Sequence, residues 1–96
     1  MLVMAVHQTP SLTQERYEEV VRRLTGKDRA QSPSDFPFDG LVAHAAGEGQ
    51  DGFFIVDIWE SEDAAHRFSE AIASIARDVG IKEPPEFFPV HTYVSL

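Results

Sequence analysis

Apolar periodicity switches four times along this chain, and the order of those switches is its tightest constraint. Four apolar stretches of strand character, residues 2–8, 40–46, 53–60 and 87–96, are separated by two segments whose apolar residues recur at helical spacing and by one Gly-rich connection. The first helical segment runs from about Thr13 to Leu24 and places Tyr17, Val20, Val21 and Leu24 on one face. Ser11 or Thr13 can cap it, Glu15 and Arg22-Arg23 suit the two ends of its dipole, and Gly26 is placed for a left-handed exit. The second opens at Ser61-Glu62-Asp63 and carries Ala64, Ala65, Phe68, Ala71, Ile72, Ile75, Ala76 and Val79 at a 3.6 period up to Gly80. Residues 47–52 join the two middle strands as an antiparallel hairpin. They are followed by a strand, not by the Lys-Ser/Thr and helix of a phosphate loop, so they read as a turn. The order strand, helix, strand, strand, helix, strand predicts one α+β domain over residues 1–96, a ferredoxin-like βαββαβ unit with a four-stranded antiparallel sheet and both helices on one face.

Each strand also carries a group that a plain core would avoid: His7, His44, Asp57 with Trp59, and His91. Burying a carboxylate or imidazole without a partner costs several kcal/mol, so these groups are expected to meet in one pocket. Strand alternation separates two faces. Leu2, Met4, Val6, Phe54, Val56 and Ile58 form one set, expected to lie beneath the helices. The other set, expected to face away, holds Val3, Ala5, His7, Val42, His44, Phe53, Ile55, Asp57, Trp59, His91 and Tyr93. That second face is too apolar to be left in water, and a second copy of the sheet would cover it, so a homodimer is expected. A carboxylate beside an imidazole orients its tautomer and raises its basicity, as a general base requires. Asp57 with His44 or His91 is therefore the candidate proton-transfer pair, with Trp59 and Tyr93 as flat surfaces for a planar ligand and His7, Val42, Phe53 and Ile55 as further lining. The competing reading makes the same groups satisfied partners at a dimer interface.

Charge and composition remove several classes. With net charge −8 and its Lys and Arg residues mostly within 16–29 among acidic neighbours, the chain has no basic stripe for nucleic acid. It has no cysteine, so disulfides, thiolate chemistry and cysteine metal sites are out of reach. His44, Asp57 and His91 come from three strands without metal-ligand spacing, and no metal is assigned. Ser11, Ser61 and Ser95 lack a nucleophile-elbow context, and His66 falls on the polar side of the second helix. No charged leader and no apolar stretch of membrane length is present, which predicts a cytoplasmic protein without a membrane partner. Residues 25–39, punctuated by Pro33 and Pro37, form a loop long enough to serve as a lid, or a solvated excursion tucked down by Phe36 and Phe38.

The run Val56-Asp57-Ile58-Trp59-Glu60-Ser61-Glu62-Asp63-Ala64, leading into a helix with Phe68, resembles the strand-to-helix junction of the dimeric α/β-barrel superfamily, in particular its antibiotic-biosynthesis-monooxygenase-like domains. Element order and length extend the resemblance over nearly the whole chain. It implies two ferredoxin-like sheets paired into a barrel and a small-molecule pocket lined by Trp, His and Tyr, with no residue role carried over position by position. It also implies a small-molecule-binding protein and admits cofactor-independent oxygenation of an aromatic or polyketide-like substrate. A non-catalytic ligand-binding or interaction module, and a haem-binding or haem-degrading protein, are the alternatives.

Overall fold

In a computed structural model of the chain, residues 1–27 and 35–95 are described. The elements follow the expected order: β1 (Val3–His7), α1 (Gln14–Thr25), β2 (Leu41–Gly49), β3 (Gly52–Trp59), α2 (Glu62–Val79) and β4 (Glu86–Pro89). The strands form one antiparallel sheet in the order β2-β3-β1-β4, with two helices, an α+β arrangement compatible with a ferredoxin-like fold. Residues 28–34 of the long polar loop lie outside the described residues.

The helix ends are built as their residue types dictate. The Thr13 hydroxyl accepts from the Arg16 backbone N–H at 3.2 Å, and Ser61 does the same for Ala64 at 3.1 Å. Gly26 and Gly80 close the two helices in the left-handed conformation. Ser11 is not a cap. Its buried hydroxyl accepts from the Lys82 backbone and donates to Glu83 at 2.5 Å, tying the β1–α1 connection to the segment after α2.

Strand alternation sorts the residues into the two expected sets, but the faces are exchanged. The set holding Val3, Ala5, Phe53, Asp57 and Trp59 is buried beneath the helices, where Trp59 lies against Phe68 of α2 at 4.8 Å between ring centroids and Phe53 against Tyr17 of α1 at 5.2 Å. Met4, Val6, Phe54, Val56 and Ile58 occupy the opposite face and are half-buried. The reason is area: this set carries Phe53 and Trp59, against Phe54 on the other, and buries most surface where helix side chains can interleave with it. A second departure lies in β2, where the register shifts between Leu41 and Ala43: Leu41 pairs with Trp59 and Ala43 with Ile58, so Val42 is the extra residue of a bulge. The bulge lets Leu41 and His44, three residues apart, share the helix-covered face. The last strand is also shorter than the expected 87–96. It ends at Pro89, after which the Val90 N–H bonds to Leu2 and residues 91–95 are exposed.

Candidate functional site

The site is assembled where β2, β3 and α1 meet. Antiparallel pairing sets His44 directly opposite Asp57, and both side chains turn toward the helices. Asp57, only 8% exposed, accepts a hydrogen bond at Oδ1 from His44 Nδ1. A carboxylate that accepts places a proton on Nδ1, and in the neutral ring Nε2 then presents a lone pair. Onto that lone pair the Tyr17 hydroxyl donates at 2.6 Å. The phenol ring stacks on the imidazole at an interplanar angle of 13°, and Phe36 closes on the imidazole with ring centroids 5.0 Å apart. Burial, followed by the negative charges of Asp57 and Glu18, pushes the Tyr17 hydroxyl up to about 12. It is a hydrogen-bond donor at neutral pH, at the end of a chain Tyr17–His44–Asp57.

That chain lines a cavity of about 280 Å³ between the sheet and the two helices. Trp59 and Ile55 supply flat and apolar wall from β3, Phe68 and Ile72 from α2, and Val21 from α1. His7 of β1 reaches the same cavity one pleat along from Asp57, since Ala5 pairs with Asp57 and His7 with Ile55. Its Nε2 is buried and has no hydrogen-bond partner among the described residues. Burial lowers the affinity of His7 for a proton, against the opposing pull of the Glu83 backbone and of the Glu83 and Asp57 charges. Glu83, which also lines the cavity, is held below the usual carboxylate range, first by the Ser11 hydroxyl.

The residues singled out from sequence are therefore divided. His44 and Asp57 meet, and His7, Ile55 and Trp59 share their cavity. Phe53 is buried behind Tyr17, and Val42 sits in the bulge of β2; neither borders the cavity. His91 and Tyr93 lie past the end of β4, exposed, with His91 Nδ1 on the Thr92 hydroxyl at 2.5 Å, and do not reach Asp57 within this chain. Tyr17 was missed because it reads as one more apolar position of α1. The signal was present: its hydroxyl is a polar tip on a buried stripe, and buried tyrosines find partners.

Among the described residues no group of three His, Cys, Asp or Glu side chains could hold a metal ion, and no helix is long and apolar enough to cross a membrane. Comparison with protein-family models, curated proteins and solved structures finds no match.

Proposed function

We propose that the chain is a small-molecule-binding protein of the monooxygenase-like dimeric α/β-barrel type, whose His44–Asp57 pair takes a proton from a hydroxyaromatic or polyketide-like ligand held in the cavity. The observation that carries this reading is the hydrogen-bonded chain Tyr17–His44–Asp57 in the wall of an otherwise largely apolar cavity. The cavity lies near the small end of the usual range for ligand sites, roughly 300–1,000 Å³.

The proton path follows from the donors and acceptors. A ligand hydroxyl at Tyr17 passes its proton to the phenol oxygen as the phenol gives its own to His44 Nε2, and Asp57 stabilises the imidazolium that results. Because the tyrosine is held protonated, the two transfers run together and no tyrosinate accumulates. The ligand anion then supplies the electrons for dioxygen. Replacing a ring C–H para to the hydroxyl by a carbonyl consumes one dioxygen and releases one water, and the balance calls for no further reductant.

Support for the dimer comes from the sheet face opposite the helices. Cross-strand neighbours there are Ala43, Ile58, Met4 and Phe88 in one row and Ala45, Val56 and Val6 in the next, which ends at Glu86 on the edge strand, a largely apolar surface of the kind that marks an interface. A second copy would cover it.

The test is dioxygen uptake with a dihydroxynaphthalene. Turnover in the wild type should fall about 100-fold or more in Asp57→Asn and in His44→Ala, the usual scale for removing a general base. Equal turnover in both variants would remove the pair from the mechanism. A binding-only reading is favoured by one feature, that every link of the chain is satisfied inside the protein. It predicts saturable binding of the same compound with no uptake.

A further inference from the structure

The proposed ligand would meet a second fixed point in the cavity besides Tyr17. Asp57, His44 and Tyr17 satisfy one another, and most of the remaining wall is apolar. Among the described residues, the buried side-chain atom of the cavity wall that has no partner is His7 Nε2. In a neutral imidazole this nitrogen either donates or accepts, and in both forms it is a buried hydrogen-bonding atom without a partner among the described residues. A buried polar atom left unpaired is costly, and a ligand that pairs with it recovers that cost.

We infer that His7 Nε2 is the cavity's hydrogen-bonding point for bound ligand, and that it selects compounds presenting an O–H at that point over compounds of the same shape without one. The inference rests on the cavity being a ligand site. It adds to that reading a specificity-determining residue on β1, remote in sequence from the His44–Asp57 pair. A ring compound with hydroxyls at two positions could address His7 of β1 with one and Tyr17 of α1 with the other, since both line the one cavity.

Burial keeps this imidazole neutral more readily than a free one. The Glu83 and Asp57 carboxylates are the charged groups that act on it.

Phenol and toluene, nearly equal in shape, separate the contributions. Affinities of both are measured by titration calorimetry or ligand-observed NMR against the wild type, His7→Phe and Tyr17→Phe. The phenol-to-toluene affinity ratio should fall about tenfold in His7→Phe, the scale of one buried hydrogen bond. In ¹⁵N-labelled wild type, the His7 Nε2 resonance should move on adding phenol and stay in place with toluene, which tests the contact without any substitution. If both probes bind and the ratio is unchanged in His7→Phe, or is lost only in Tyr17→Phe, the role of His7 is overturned while the cavity remains a ligand site. If neither probe binds the wild type, the cavity reading fails and the inference with it.

Discussion

At the scale of single residues, the site is two titratable groups held away from their ordinary behaviour by burial. The Tyr17 hydroxyl is pushed up from 10.0 to about 12, so between those values the unfolded chain has lost a proton that the folded chain retains. The stabilisation is complete below pH 10 and is lost as pH rises through 12. Absorbance titration of a Tyr93→Phe variant should therefore show tyrosinate forming near pH 12, with urea-derived stability declining over the same window; a midpoint at 10 would mean that Tyr17 is not buried on His44. His7 runs the other way. Its affinity for a proton is lowered from 6.5, so the unfolded chain protonates first as pH falls and stability declines below 6.5 until the folded value is passed. Denaturation midpoints of the wild type and His7→Phe at pH 7.5 and 5.5 measure this: the wild type should lose more stability than the variant over that interval, and equal losses would count against a buried His7.

The elements that bring these residues together depend on two small devices. One is Gly40, with φ at +95°, whose carbonyl accepts from the Glu60 N–H at 2.8 Å and whose missing side chain leaves room for Ala64. A Cβ there would stand 2.7 Å from that of Ala64, whereas at Gly26, φ +74°, it would meet nothing within 4 Å. Gly40→Ala is therefore expected to cost about 2–4 kcal/mol, strain plus overpacking, and Gly26→Ala about 1 kcal/mol, strain alone. Urea denaturation of the pair checks this, and equal losses would show that the Gly40–Ala64 approach is not close. The other device is the bulge at Val42, which returns His44 to the helix-covered face after Leu41 has already pointed there.

These two devices mark how far the fold and the site could be read beforehand. Helix ends were legible because capping is local chemistry of Thr13, Ser61, Gly26 and Gly80. The grouping of His7, His44, Asp57 and Trp59 on one face was legible because alternation is a property of each strand. Which face the helices cover was not, since both sets on β3 are apolar enough to be buried and only tertiary packing chooses between them. Nor was the length of β4, where Phe87–Pro89 and the residues beyond carry similar strand character. The partner of His44 was hidden for a different reason: Tyr17 lies 27 positions away on another element, and only the fold brings its hydroxyl to the imidazole.

For the molecule as a whole, one sheet face is packed under helices around a cavity and the other is an apolar surface. If the second is a dimer interface, Ile58→Lys, at the centre of that surface opposite Met4 and Ala43, should give a monomer by analytical ultracentrifugation at micromolar concentration where the wild type sediments as a dimer. A wild type that is already monomeric would leave the proposed barrel without support.

The central claim, that the cavity beside Tyr17, His44 and Asp57 takes a hydroxyaromatic ligand, is tested most directly by the chain's four histidines. Two of them, His7 and His44, line the cavity, and the other two, His66 and His91, are exposed outside it. The measurement is an NMR titration of ¹⁵N-histidine-labelled protein with 1-naphthol, with each ring assigned by substitution. The expected result is saturable movement of the His44 and His7 ring resonances, with those of His66 and His91 unchanged. Saturable movement confined to His66 or His91, or no movement at any of the four, would contradict the claim.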